Sequence, residues 1–309
     1  MKARVRTWLL GAEAIPEYAA IGLRAPQTQV QVWLHGLTPP LDVTRNHSIA
    51  ALRPLTIAIC LPLATLPQTS CSLVFKERDD AKPLGYIRLR LVRTIAWMTH
   101  QLCLFETIGH SNYCLPWPRL QLWYLYRWWV RRKRLMPHNF QMVAAELHSL
   151  YVFYTCPRPV VLVTVSHEAA SNIFPMDLIG PSASGHFLLA LRNTAPAVRL
   201  MEQSRRMVLS DIPVAYTDSV YALGAHHKKE RVAWEALPFE TTLSPTFALP
   251  MPRAALAVRE VQVEQTQRIG SHTLFITTMA HEQTYAEGLQ LFHVQGFYQH
   301  WLKQQGRAL

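Results

Sequence analysis

The stretch Val160-Val161-Leu162-Val163-Thr164-Val165, entered through Pro157-Arg158-Pro159, decides the fold. It is short, apolar and rich in β-branched residues, as a strand buried on both faces would be. Outward from it the C-terminal half keeps the same character. Phe187–Leu191 is a second apolar run, and Met207–Leu209 reads as a short strand. Ala254–Val263 and His272–Met279 flank Arg268-Ile269-Gly270-Ser271, which predicts a long hairpin. Leu289–Val294 is expected to close the series before a terminal helix, Gly296–Lys303. Among these strands Thr194–Arg206 reads as a helix, with Thr194 as N-cap, Pro196 in the first turn, and Val198, Leu200 and Met201 facing inward.

The first hundred residues also read as mostly β. Val30, Val32 and Leu34 alternate with Gln29 and Gln31, and Arg88 and Arg90 alternate with Ile87, Leu89 and Leu91. Leu55–Leu61 and Leu73–Phe75 add further runs, so a sheet with one wet, basic face is expected. From Trp117 to Leu135 the pattern changes to a helix started by proline and ended by Arg131-Arg132-Lys133-Arg134. Its aromatics nearly encircle it, which favours an interdomain or subunit-packing helix; a nucleic-acid or anionic membrane surface contact through Arg127–Arg134 is the rival. A second helix is expected from Phe140 to about Tyr151. No internal repeat is visible. The expected organisation is a β-rich accessory domain of unknown role over 1–115, a helical connector over 116–150, and a β-barrel domain over 151–309.

Composition narrows the function classes. The chain has 309 residues, half of them hydrophobic, so it can bury a real core and is not a disordered chain. Of the net charge of +11, residues 1–150 carry +10 and residues 151–309 only +1. Seven of the nine tryptophans also lie in the first part, so the two halves differ chemically. Five widely spaced cysteines, Cys60, Cys71, Cys103, Cys114 and Cys156, contain no Cys-x-x-Cys pair. That argues against a disulfide framework or zinc site and for buried thiols in a reducing cytoplasm. No apolar run reaches the roughly 18 residues of a membrane span. The Met1–Arg4 start resembles a leader's basic region, but Glu13 interrupts the apolar stretch Trp8–Ala12, so no leader is expected.

Three clusters in the second half suit an anionic cofactor. In Ser171–Asp177, Asn172 offers a donor and an acceptor to a heterocyclic amide edge, or else caps its own turn. Arg192-Asn193-Thr194 lies where a strand enters a helix, and backbone N–H groups beside an arginine favour anions there. His226-His227-Lys228-Lys229 is a dense donor patch in a loop; adjacent histidines seldom face one ion, so no metal is expected.

Together these blocks resemble the flavin reductase-like, FMN-binding split-barrel family. The resemblance rests on Pro157–Thr164 followed by Asn172-x-x-Pro175, and on Ala254–Glu260 followed by Ile269–Ile276, over about residues 150–300. It implies an α+β, mainly β fold with a six-stranded Greek-key split barrel, forming a homodimer with FMN or FAD near the subunit interface. It would place Asn172, Ile173, Phe174, Pro175 and Met176 beside the flavin ring, and Arg192, Asn193 and Thr194 on its phosphate. Lys228 or Lys229 would add charge, and His272, in a Gly-x-His turn, would lie near flavin or nicotinamide as the one candidate catalytic side chain. Without the resemblance, His272 reads equally as an exposed turn residue.

Two departures stand out. Glu168-Ala169-Ala170 occupies a turn where relatives often carry Asp and Gly, and Ser271 stands where an acid usually precedes the histidine. The expected activity is reduction of bound flavin by NAD(P)H, with electrons passing to a small-molecule or protein acceptor. Such chemistry resides in the cofactor, so no acid, base or nucleophile need be supplied by the chain. The alternatives are a non-catalytic flavin-binding electron carrier, pyridoxamine-phosphate-oxidase-like chemistry, and a binding protein that uses the basic half with the barrel as a dimerisation scaffold.

Overall fold

The computed structural model describes residues 15–24, 29–65, 67–78, 82–97, 99–133, 142–182 and 185–307. The stretch Met1–Glu13, Arg134 and the expected helix start at Phe140 lie outside the described residues. Strand β1 (Tyr18–Leu23) precedes a seven-stranded antiparallel sheet of β2 (Val30–His35), β3 (Leu41–Asp42), β4 (His47–Leu52), β5 (Leu55–Pro62), β6 (Ser70–Glu77), β7 (Pro83–Trp97) and β8 (His100–Asn112). Its spatial order is β3-β2-β6-β7-β8-β5-β4. The alternation read from the sequence sets its faces. Ile87 and Leu89 are fully buried, while Arg88 and Arg90 are exposed on the other side.

Helices α1 (Trp117–Lys133) and α2 (Ala144–Phe153) follow. The second half then begins with β9 (Arg158–Pro159) and builds a second antiparallel sheet from β10 (Val161–His167), β11 (Ala170–Met176), β12 (Ile179–Pro181), β13 (His186–Arg192), β14 (Arg206–Asp211), β17 (Ala257–Ile269) and β18 (His272–Thr284). Helix α3 (Pro196–Ser204) joins β13 to β14. The β14–β17 connection carries α4 (Thr217–Ala222) and the small pair β15 (Thr241–Leu243) and β16 (Pro250–Pro252). The order of the second sheet is β11-β10-β14-β17-β18-β13-β12. The chain closes with β19 (Gln290–Gln295) and α5 (Gly296–Gln304).

Several expectations change in detail. The second sheet has seven strands, not six: the additional β12 is a three-residue edge strand containing Gly180 and Pro181, too short to show a period. Leu289–Val294 does not close this sheet. β18 already has β17 and β13 on its two sides, so β19 pairs instead with β1 and β9. The N-cap of α3 is Ala195 rather than Thr194, because Pro196 forces the residue before it into an extended conformation, φ −79° and ψ 125°. The two sheets also share one strand order although the sequence shows no repeat. Substituting one strand for its counterpart (β2 for β10, β3 for β11, β4 for β12, β5 for β13, β6 for β14, β7 for β17 and β8 for β18) converts one order into the other.

Each sheet wraps its own core, one around Val32, Ile57, Ile59 and Phe75, the other around Val163, Phe174, Leu189 and Phe275. The unbroken run in β10 follows from burial on both sides. Val161, Val163 and Val165 face the second core, whereas Val160 and Leu162 join an outer cluster with Ile173 and Val258. A fourth cluster joins the halves. Ala58, Cys60, Leu102 and Leu104 from β5 and β8 meet Leu188, Ala190, Leu274 and Ile276 from β13 and β18. All five cysteines are buried and form no disulfide. Among the described residues no helix is long and apolar enough to cross a membrane.

One turn fixes how the halves meet. Gly270 has φ +49°, and a Cβ added there would lie 2.3 Å from the carbonyl oxygen of Arg53 in the other half. Gly185 also has positive φ, but its Cβ would meet only the Met279 Cε, at 3.9 Å. Backbone strain is thus common to both sites and the clash is particular to Gly270. Gly270→Ala is expected to lower unfolding free energy by about 1–3 kcal/mol more than Gly185→Ala, read from urea denaturation. Equal losses would show that the close approach is not a stability determinant.

Candidate functional site

The end of β13 and the start of β18 form the centre of the site, because Arg192 and His272 are register partners. Asn193 clamps the hairpin turn beside them. Its backbone N–H donates to Ser271 O at 3.1 Å and its Nδ2 to Gly270 O at 2.9 Å, and its Oδ1 accepts from Thr273 Oγ1 at 2.9 Å. Thr194 is exposed, and α3 begins beyond it with no side-chain cap and no acidic residue in its first turn. Burial holds the Arg192 guanidinium below its ordinary pKa. A half-buried arginine next to an uncapped helix start favours an anion.

His272 is 1% exposed, which excludes the solvent-exposed turn reading. Its Nδ1 lies 2.8 Å from Ser271 Oγ and accepts a long hydrogen bond, 3.4 Å, from the Leu52 N–H of the first half. An accepting Nδ1 leaves the neutral ring's proton on Nε2. Burial first, and the Arg192 charge second, lower its pKa to about 4. The acid-to-Ser271 departure noted in the sequence thus leaves a hydroxyl, not a carboxylate, on this ring.

The other two clusters form a second group. Asn172 is fully buried and donates from Nδ2 to the carbonyls of His226 at 3.0 Å and Lys229 at 2.8 Å. The His226 Nδ1 lies 3.1 Å from Ile173 O, so the 226–229 loop is strapped along β11. Ile173 and Phe174 point into separate cores, Met176 is buried, and Pro175 is half-buried. Lys228 and Lys229 are exposed. The His227 pKa is lowered by burial first, with smaller effects of the Lys228 and Arg192 charges. Asp177 is held by Tyr154 Oη at 2.9 Å and His293 Nδ1 at 2.8 Å, which ties the end of β11 to β19.

The structure therefore brings Arg192, Asn193, Thr194 and His272 together at the end of β13 and the start of β18. It gives Asn172 a strapping role, with its Oδ1 buried and unpartnered, and gives Ile173 and Phe174 core roles. The Leu52-Arg53 contribution from the first half was not visible in the sequence, since nothing local marks a contact across 220 residues. A separate cleft of about 910 Å³, lined among others by Arg24, Arg45, Arg158, Arg259, Phe187 and Phe292, contains none of the expected site residues. The basic run of α1 is partly internal. Arg127 is buried 4.0 Å over Phe297 and 4.8 Å over Tyr151, and Arg131 pairs with Glu17.

The end of the second sheet thus places an arginine, an uncapped helix start and a histidine turn side by side. Residues 153–301 match the family model of the flavin reductase like domain. No curated protein matches the chain. Among solved structures, the NADH:FAD oxidoreductase of Streptomyces globisporus C-1027 is 17% identical, covering 52% of this chain and 95% of its own, with TM-score 0.44. An FMN-binding protein from Thermus thermophilus is 22% identical over 47% of this chain and 86% of its own, with TM-score 0.40. The flavin reductase of styrene monooxygenase from Pseudomonas putida S12 is 16% identical over 48% and 93%, with TM-score 0.39.

The residues present fit the anionic end of a flavin. Arg192, Thr194 and the start of α3, which has no acid in its first turn, would hold its phosphate. Along β11, Pro175 is half-buried and the Asn172 Oδ1 is buried without a partner beneath the 226–229 loop.

The buried histidine has a consequence for pH. His272 has a folded pKa of about 4, against an ordinary value near 6.5 once unfolded. Above about pH 6.5 both states are neutral. Below it the unfolded chain takes up a proton that the folded chain refuses, so stability falls until about pH 4. Between pH 7.5 and 5.0 this residue accounts for about 2 kcal/mol. His272→Gln is expected to lose about 2 kcal/mol less than the native chain over that interval in urea titrations. An identical loss would exclude a buried neutral imidazole.

Proposed function

We propose that the protein is an NAD(P)H-dependent flavin reductase-like oxidoreductase that binds FMN or FAD at the rim of the C-terminal barrel. The observation that carries this reading is the position of Arg192 at the end of β13, just before the uncapped start of α3, within a stretch that matches the flavin reductase like domain. Bound flavin supplies the two-electron chemistry, accepting hydride from NAD(P)H and passing electrons to a small-molecule or protein acceptor. The chain's own residues bind and orient. Arg192 and the first turn of α3 hold the phosphate, and Lys228 and Lys229 add positive charge at the same rim. Asn193 fixes the 270–273 turn. His272, neutral at physiological pH, adds no second cation beside Arg192. Five buried thiols that form no disulfide suit a reducing cytoplasm.

The test is a flavin titration followed by reduction. FMN and FAD are titrated into the purified protein by fluorescence quenching, then the loaded protein is mixed anaerobically with NADH or NADPH. Binding and bleaching of the flavin band are expected. Arg192→Gln is expected to weaken binding roughly 10- to 100-fold, the loss of a charge-assisted hydrogen bond, with little change in unfolding temperature. Flavin that binds but does not bleach with either nucleotide overturns the reductase reading and leaves an electron carrier. Absence of binding overturns both.

A further inference from the structure

We infer that the N-terminal half is a degenerate second copy of the barrel, locked onto the first by an internal two-fold pairing, so that the protein acts as a monomer with one flavin site per chain. The site count rests on the proposed flavin reading; the pairing does not.

The equivalence of the halves extends from strand order to individual residues. In the second half β13 and β18 pair Leu188 with Ile276, Ala190 with Leu274, and Arg192 with His272. In the first half β5 and β8 pair Ala58 with Leu104, Cys60 with Leu102, and Pro62 with His100. The hairpin turns correspond as well. β7 and β8 close at Trp97 and His100, as β17 and β18 close at Ile269 and His272. In each turn a hydroxyl meets the next residue's ring. Thr99 Oγ1 lies 3.0 Å from His100 Nδ1, and Ser271 Oγ lies 2.8 Å from His272 Nδ1.

The residues matched in this way are those that bury the interface. Ala58, Cys60, Leu102 and Leu104 form one cluster with their counterparts Leu188, Ala190, Leu274 and Ile276. The docking of the turns is reciprocal too. The first half's 52–54 turn meets the second half's hairpin tip, where Ser271 N–H donates to Arg53 O at 2.9 Å. The second half's His186, at the corresponding start of β13, lies edge-on to Trp97 at the first half's hairpin tip, with centroids 4.1 Å apart. A self-complementary face paired with its own equivalent is closed. Formed within one chain, it leaves no copy exposed for a second chain. The internal pair thus takes the place of the homodimer that the family resemblance implies.

The two copies are unequal at the site. Pro62 occupies the position of Arg192, opposite His100. The described residues between β5 and β6 form no helix where the second half has α3. The first half has therefore lost the cation and the helix start while keeping the histidine turn. Its remaining contribution to the surviving site is structural: the 52–54 turn, which supplies Leu52 N–H to His272 and Arg53 O to Ser271.

Two measurements on the full chain test this. Sedimentation equilibrium over protein concentrations spanning two orders of magnitude is expected to give 35.3 kDa throughout. A stable dimer in the apo or FMN-loaded protein overturns the internal pairing. Titration with FMN is expected to saturate at one equivalent per chain. His100→Gln is expected to leave affinity within twofold, and Arg192→Gln to reduce it at least tenfold. Two equivalents per chain, or a tenfold loss in His100→Gln, overturns the single-site assignment. A monomer of 35.3 kDa that binds no FMN overturns the flavin reading alone and leaves the pairing supported.

Discussion

The constraint on which the rest of the structure depends is the contact between the outer faces of β5 and β8 and those of β13 and β18. The apolar stretches of these strands use both faces. Ile57, Ile59 and Phe105 fill the first core, and Leu189 and Phe275 the second, while the alternate residues meet across the interface. Small side chains at Ala58, Cys60 and Ala190 let the sheets approach, and the larger leucines and Ile276 pack around them. A strand buried on two faces cannot show polar alternation, which is why β5 and β13 read as continuous apolar runs.

The candidate site depends on that contact. Gly270, Ser271 and His272 sit at a hairpin tip, and a free tip of this kind would be solvated and mobile on short timescales. Here the Arg53 carbonyl presses on Gly270, Leu52 reaches His272, and Asn193 holds the turn from its own half. The imidazole is consequently buried and neutral, beside an arginine whose charge reinforces neutrality. Fixing a donor whose charge does not change across physiological pH, next to a cation that does not change either, gives the rim a constant electrostatic character.

Much of the fold was legible from residues 157–303. The strand runs, the 268–271 turn and the terminal helix follow from local periodicity and turn chemistry, which depend only on neighbouring residues. The Arg192–Thr194 cluster was legible for the same reason, since a strand end, an arginine and a helix start are adjacent in sequence. Asn172 was harder to read. Its amide looks the same in the sequence whether it meets a ligand or two carbonyls, and only the fold brings His226 and Lys229 above it. The basic run was misleading in the same way, because Arg127 is drawn between Tyr151 and Phe297 by contacts that the run itself does not encode.

By itself, then, the sequence determined that the chain is rich in β-structure, where most strands and helices run, and which half resembles a flavin-binding domain. The tertiary structure alone decided that the basic first half shares the strand order of the second, and that Pro62 stands where the second half has Arg192. The physical reason is that a sheet's order is set by which backbone edges and which buried faces meet. Those demands constrain alternation and size but not identity, so two copies can lose all visible resemblance in sequence and still pair residue for residue.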